Sequence, residues 1–258
     1  MQAKKSLGQN FLKSKSAVGD IIKAGELSSA DTVLEIGPGK GVLTEALLAA
    51  AGKVIAVEKD DRLIEVLNEK FATEIKEGRL QIIHDDALEV HITLDSYKLI
   101  ANIPYYITGI LIRKFLESEN QPEKMVLMVQ KEVADRIVAR DGKESILSLS
   151  VKAYGNPTYI KKVPARYFSP APKVDSAVLL IDKISKKFFI ENNVPEERFF
   201  TIVKTAFAHK RKLAMRNLES TFSKEKIERS FLIANIEKTI RAEKIPLEKW
   251  FSICKTLS

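Results

Sequence analysis

Thr32-Val33-Leu34-Glu35-Ile36-Gly37-Pro38-Gly39-Lys40-Gly41-Val42 is an apolar strand running into a glycine turn and then a helix, Val42 to Ala51. Glycines at alternate positions between a strand and a helix let the main chain approach a ligand closely. The pattern is not the dinucleotide fingerprint G-x-G-x-x-G, because Val42 and Leu43 follow Gly41, and it lacks the Lys-Ser/Thr ending of a phosphate-binding loop. G-x-G-x-G after an acidic residue suits a ligand without a pyrophosphate, such as S-adenosylmethionine, whose methionine part can lie over the turn.

Outward from this unit the same rhythm repeats. Lys53 to Val57 reads as a strand, Arg62 to Phe71 as a helix, and Leu80 to Ile83 and Lys98 to Ala101 as strands. Ile110 to Leu116 reads as a helix, Met125 to Val129 as a strand and Glu132 to Val138 as a helix. This βαβ alternation predicts an α/β fold with a mostly parallel sheet covered on both faces. Thr158 to Val163 and Ala177 to Ile181 are two further strands flanking the Pro-rich segment Pro164 to Pro172, which leaves no room for a helix. They predict an antiparallel pairing at one side of the sheet. After about Ile184 the strands stop. Phe199, Phe200, Val203, Ala206 and Phe207 recur at helical spacing, and helical patterns follow at Ile227 to Ile233 and Leu247 to Ile253. The expected organisation is a ligand-binding domain over 1–184 and a small all-helical domain over 185–258.

Three strand ends carry chemistry. The second strand ends in Glu58, 21 residues after Gly37, where a carboxylate can accept both ribose hydroxyls. The third ends in Asp85-Asp86-Ala87, where an acid can bind the amino group of an adenine. The fourth runs into Asn102-Ile103-Pro104-Tyr105. Here the Asn102 side-chain carbonyl and the Ile103 main-chain carbonyl can accept both N–H bonds of an amino group on a flat ring, while Tyr105 stacks on that ring. Taken alone, Asn-Ile-Pro-Tyr fits an ordinary strand-to-helix turn equally well. The ordered set of strand ends favours a ligand site, because sheets of this kind bind ligands at their carboxyl edges.

The 258 residues, 45% apolar and 29% charged, describe a globular chain rather than a disordered one. A single cysteine, Cys254, excludes an internal disulfide, and the three scattered histidines suggest no metal site. No apolar run approaches the ~20 residues needed to span a bilayer. The start, Met1 to Ser6, is basic without a following apolar stretch, so no secretory signal is expected and the cytoplasm is the expected compartment. From Asp182 to Ser258 there are 17 Lys and Arg against 10 Asp and Glu, a net of +7 out of the chain's +8. A second basic cluster comprises Lys4, Lys5, Lys13 and Lys15. The asymmetry suggests a polyanionic partner, nucleic acid first, with a well-solvated surface as the alternative.

With these residues in view, the chain resembles the rRNA adenine N6,N6-dimethyltransferases over nearly its whole length. The marks are Gly8-Gln9-Asn10-Phe11-Leu12, Glu35 to Gly41, Glu58, Asp86, Asn102 to Tyr105, Met128 to Ala134, and Phe168-Ser169-Pro170-Ala171-Pro172-Lys173-Val174-Asp175-Ser176. The resemblance implies a Rossmann-like class I methyltransferase sheet, mostly parallel with one antiparallel strand near the edge. It also implies a small helical C-terminal RNA-binding domain and a cofactor-covering segment over 1–20. S-adenosylmethionine is the implied donor. The implied acceptors are two adjacent adenosines near the 3′ end of small-subunit (16S) rRNA, met by a monomer within a small-subunit particle. Carried over by position, Asn10, Leu12, Gly37, Gly39, Glu58, Asp86 and Asn102 are implied cofactor contacts. Asn102, Ile103, Pro104, Tyr105 and Phe168 are the implied catalytic set, with Tyr105 and Phe168 sandwiching the base. Lys210, Arg211, Lys212 and Arg216 are the implied RNA contacts. Asp85 stands where the family often has Gly, Tyr106 replaces a commonly smaller polar residue, and His209-Lys210-Arg211-Lys212 stands where a double Arg is usual. Close relatives that methylate large-subunit rRNA and confer macrolide resistance share Gln-Asn-Phe-Leu and Asn-Ile-Pro-Tyr. The Gln130-Lys131-Glu132-Val133-Ala134 run resembles the ribosome-maturation branch more. An RNA-binding assembly factor with little catalysis, and a mitochondrial transcription factor descended from the family, are the non-enzymatic readings.

Overall fold

In a computed structural model that describes Lys4 and residues 7–257, the chain begins with a two-residue strand β1 (Phe11–Leu12) and helix α1 (Lys15–Gly25). The core alternation follows as β2 (Thr32–Ile36), α2 (Val42–Ala50), β3 (Lys53–Glu58), α3 (Asp61–Lys70) and α4 (Ala72–Lys76). It continues as β4 (Leu80–His84), β5 (Lys98–Asn102), α5 (Thr108–Glu117), β6 (Lys124–Gln130) and α6 (Lys131–Ile137). Helix α7 (Ile146–Lys152) precedes β7 (Asn156–Val163), the short β8 (Phe168–Ser169) and β9 (Ser176–Asp182). Five helices follow: α8 (Lys187–Asn192), α9 (Glu196–Phe207), α10 (Ala214–Leu218), α11 (Lys224–Ile233) and α12 (Leu247–Leu257).

Seven strands form one sheet in the order β4-β3-β2-β5-β6-β9-β7. The first five are parallel; β9 alone runs the other way, antiparallel to β6 on one side and to β7 on the other. The fold is therefore the expected mostly parallel sheet with one reversed strand near its edge. The inner strands read as unbroken apolar runs because both faces are covered: Val33 and Leu34 in β2 and Met125 to Val129 in β6 are all buried. The edge strand β7 instead alternates, starts beside Pro157, carries Lys161 and Lys162, and holds a bulge between Tyr159 and Lys161. From β2 the chain steps outward through β3 to β4, then returns to place β5 on the other side of β2. That reversal opens a crevice at the carboxyl ends of β2 and β5.

Helix α1, not foreseen in the sequence, starts at Ser14, whose hydroxyl accepts the Ala17 amide at 3.3 Å, and buries Ala17, Val18 and Ile21 beside α2 and β6. The Pro-rich segment holds a single 3₁₀ turn, Ala165–Tyr167, and β8, which pairs antiparallel with β1 through Phe11 opposite Ser169 and Leu12 opposite Phe168.

The contacts divide the chain into two compact units. One runs through Ala134 and resumes over Asn156–Ile184; the other comprises Asp135–Gly155 and the chain from Ser185 onward. This differs from the expected linear split into 1–184 and 185–258, because residues 135–155 group with the C-terminal helices. The reason is aromatic packing: Tyr154 lies 5.1 Å from the Phe189 ring, and its hydroxyl donates to Glu196. The helical unit is built around that cluster. Phe199 stacks on Phe251 at 4.6 Å, Phe188 meets Phe251 edge-on at 4.3 Å, and Trp250 is wholly buried.

Candidate active site

The crevice is a cavity of about 590 Å³, lined by the ends of β2, β3 and β5, the loop after β4 and the N-terminal segment Leu7–Lys13. Its size is that of a small-molecule site. Gly37 and Gly39 have φ of +71° and +58°, a region that side chains rarely adopt. A Cβ on Gly37 would meet only the Asn102 carbonyl at 3.8 Å, so the main chain itself forms the cavity wall there. A Cβ on Gly41, at φ +74°, would fall 2.5 Å from the Phe71 ring, so this glycine is demanded by packing of the turn on α3's end.

Behind the turn sits Glu35, wholly buried, and the equally buried Thr44 hydroxyl beside it opposes the effect of that burial on its carboxyl. Burial pushes the Glu35 carboxyl up to about 8, so it is neutral at pH 7.

Glu58 ends β3 facing the cavity, its side chain fixed by three main-chain amides. Oε2 accepts Gly39 N at 3.1 Å, and Oε1 accepts Lys59 N at 2.9 Å and Asp60 N at 2.8 Å. Burial raises its pKa and the three amides oppose that rise. Asp86 follows β4. Its Oδ1 accepts Leu88 N at 2.9 Å and its Oδ2 accepts Lys59 Nζ at 2.5 Å, which together hold it below the usual carboxylate range. The expected adenine acceptor is therefore already paired with Lys59 across the cavity's far end.

Asn102 closes β5. Its Nδ2 donates to the Asn10 carbonyl at 3.1 Å, which fixes the amide and leaves Oδ1 as the acceptor with no protein donor among the described residues. Ile103 is buried, Pro104 holds an extended ψ of 128°, and Tyr105 opens a 3₁₀ turn, Tyr105–Ile107. The Tyr105 hydroxyl is bound to Ser176 Oγ at 2.7 Å, which locks the ring from its far end. Thus Asn10, Leu12, Gly37, Gly39, Glu58, Asp86, Asn102, Ile103, Pro104 and Tyr105, ten residues singled out in the sequence, line one cavity.

Phe168 does not. It is only 2% exposed and packs in the core with Leu12, Val163 and Val178, because the β1–β8 pairing turns it inward; its neighbour Ser169 lines the cavity instead. The exposed aromatic at the cavity is Tyr106, 61% exposed, which lies against Gly8. Gln9 and Asp60 were also missed. Asp60 is buried and accepts Gln9 Nε2 at 2.8 Å, Lys4 Nζ at 3.0 Å and Arg62 Nη2 at 2.7 Å; these partners, Arg62 foremost, hold its carboxyl far below its ordinary range. An acid before a helix is a capping signal, but nothing in the sequence joins Asp60 to Gln9. Among the described residues no group of acids, His and Cys is arranged to hold a metal.

In the helical unit Lys210, Arg211 and Lys212 are exposed on the loop between α9 and α10, and exposed Arg216 bonds Glu219 at 3.2 Å. Buried Asn217 anchors the loop, donating to the Ala206 and His209 carbonyls at 2.6 and 3.2 Å. Lys5, of the N-terminal basic cluster, lies outside the described residues. No helix among the described residues is long and apolar enough to cross a membrane.

Comparison with known proteins adds a second line. A family model described as ribosomal RNA adenine dimethylase matches residues 1–258. The chain is 42% identical to a protein of Dehalococcoides mccartyi named ribosomal RNA small subunit methyltransferase A, across 98% of this chain and 88% of that one. A protein of the same name from Fusobacterium nucleatum is 39% identical, across 98% and 96%. Among solved structures, a dimethyladenosine transferase from Plasmodium falciparum superposes with a TM-score of 0.80 at 27% identity, covering 94% of this chain and 95% of that one. The 23S rRNA methyltransferase ErmE superposes with a TM-score of 0.79 at 25% identity, covering 96% and 99%.

Proposed function

The chain belongs to the ribosomal RNA adenine dimethylase family, and we propose that it transfers methyl groups from S-adenosylmethionine to the N6 amino groups of two adjacent adenosines near the 3′ end of small-subunit rRNA. The observation that carries this reading is the fixed amide of Asn102: with Nδ2 committed to Asn10, Oδ1 is presented to the cavity as an acceptor. The small-subunit acceptor is favoured over the large-subunit one because relatives at 36–42% identity bear the small-subunit name, whereas the large-subunit enzyme stands at 25%.

The cavity's residues suit the donor. The side-chain-free wall at Gly37 accepts a chain close to the turn, Glu58 keeps Oε2, which takes only the Gly39 amide, able to accept a ribose hydroxyl, and Asp86 accepts an adenine amino group once Lys59 shares it. Bound there, the sulfonium supplies an already activated methyl. The protein's task is then alignment. Asn102 Oδ1 and the Ile103 carbonyl accept the two N–H bonds of the target amino group and orient its nitrogen toward the donor. No strong base is required, because that nitrogen becomes acidic only after alkylation. Tyr105, locked through Ser176, stacks on the flipped base, worth ~1–3 kcal/mol per base. For the second transfer only one N–H remains, so one acceptor suffices. Lys210, Arg211, Lys212 and Arg216 meet the RNA backbone, and the protein acts as a cytoplasmic monomer on a small-subunit particle.

The test is primer extension across small-subunit rRNA from a strain lacking this gene and from the complemented strain. Arrest at two adjacent adenosines restored by the gene is expected. Arrest in large-subunit rRNA instead would assign the acceptor elsewhere.

A further inference from the structure

The N-terminal segment is a strap across the cavity, fastened in three places. At its far end Lys13 N donates to the Tyr167 carbonyl at 2.8 Å and β1 pairs with β8. In the middle the Asn10 carbonyl receives Asn102 Nδ2, and the Phe11 ring lies 3.0 Å from where a Cβ on Gly39 would stand, so the strap rests directly on the glycine turn. The near end has a different fastening. Lys4 and Gln9 are tied to each other, Lys4 N donating to Gln9 Oε1 at 2.7 Å, and both side chains converge on Asp60. Asp60 is buried, and its own main-chain amide donates to Glu58 Oε1 at 2.8 Å. One residue thus touches the strap through its side chain and the ribose-binding carboxylate through its backbone.

We propose that Asp60 is a positioning residue that latches the N-terminal strap over the cofactor cavity and couples that closure to Glu58. The inference rests on reading the cavity as the donor's site. The strap lines the cavity over Leu7–Lys13, so a ligand seated on the glycine turn is covered by it and leaves only when the near end lifts. The β1–β8 end is held by backbone pairing and the Asp60 end by side chains, so the Asp60 end is the one that opens. A repeated transfer requires the spent donor to be replaced between rounds, which gives such a latch a purpose. The competing role is purely structural: Asp60 caps α3 and pairs with Arg62, its Oδ1 accepting Arg62 N at 3.3 Å.

Two variants separate the roles. Asp60→Asn retains capping ability, since Asn and Asp cap equally well, but removes the charge that gathers Lys4 and Gln9. Gln9→Leu loosens the strap and leaves Asp60 and Arg62 alone. The probe is S-adenosylhomocysteine, read by calorimetric affinity and stopped-flow dissociation, with amide exchange of residues 7–12 followed in the ligand-free protein. Each variant should weaken affinity about tenfold through faster dissociation, the scale of a hydrogen bond to a charged group, and speed exchange in the strap. The double variant should release the ligand no faster than Asp60→Asn alone; the unfolding midpoint should stay unchanged in Gln9→Leu, whereas Asp60→Asn lowers it because the Arg62 pair is lost as well. Additive losses, or unchanged dissociation and exchange in Gln9→Leu, would overturn the latch. Glu58→Gln is the control for the underlying reading: if it too leaves binding intact, the cavity is not the donor's site and the failure lies there.

Discussion

The cavity at the ends of β2, β3 and β5 and the basic loop between α9 and α10 solve opposite problems. At the cavity, each acidic group is held by main-chain amides or buried partners before any ligand arrives, as with the three amides on Glu58. On the loop, Lys210, Arg211 and Lys212 project into solvent and only the backbone is anchored, by Asn217. A small ligand with few contacts needs preorganised ones. A polyanion is held by charge at a distance and tolerates mobile side chains, at the cost of sensitivity to salt.

The contrast can be broken at several points. Asn102→Ala should lower methyl transfer by about 10²–10³-fold, the scale of removing one preorganised hydrogen-bonding group, while RNA affinity stays nearly unchanged. Methyl incorporation alongside a filter-binding titration measures both, and near-normal turnover would remove Asn102 from the mechanism. Combined Lys210→Glu, Arg211→Glu and Lys212→Glu should weaken RNA binding about 10- to 100-fold and flatten its log–log salt slope by about 2, leaving S-adenosylhomocysteine affinity as it was. An unchanged salt slope would reduce the loop to solvated surface.

Glu35 sharpens the comparison from the cavity side. Its carboxyl stays protonated in the folded protein up to about 8 but ionises near 4.5 in the unfolded chain. The folded state therefore binds one more proton in that window. Its contribution to stability is present below about 4.5 and is lost as pH rises through about 8. Glu35→Gln should flatten the decline, its stability relative to the parent rising steadily between about pH 4.5 and pH 8 in denaturant titrations. Asn217→Ala gives the smallest effect: about 1–2 kcal/mol of stability for two lost buried hydrogen bonds, with RNA affinity down a few-fold as the loop loosens. If RNA affinity falls as far as in the triple reversal, the loop is as preorganised as the cavity and the contrast fails.

Much of this was legible in the chain because periodicity and strand-end chemistry are local. The five parallel strands, the reversed strand and eight of the cavity residues follow from apolar runs and the residues that end them, whereas Asn10 and Leu12 came only from the resemblance carried by Gly8 to Leu12. Burial of Phe168 was not legible, since a Phe beside prolines reads equally well as a wall or as core until the pairing of β1 with β8 turns it. Nor was the grouping of Asp135–Gly155, which depends on Tyr154 finding Phe189 far along the chain. Asp60 was hidden for the same reason: its partners Lys4 and Gln9 lie more than fifty residues away.

The reversed strand has a consequence for synthesis. Within the sheet β9 fills the place between β6 and β7, yet it is the last of the three to leave the ribosome. Until Ser176–Asp182 emerges, Met125 to Val129 offers an apolar edge, and the excursion through Asp135–Gly155 waits longer still for α8 and α9. A nascent chain stalled before Ser176 should therefore be the form that chaperones hold, and release beyond Asp182 the step that frees it.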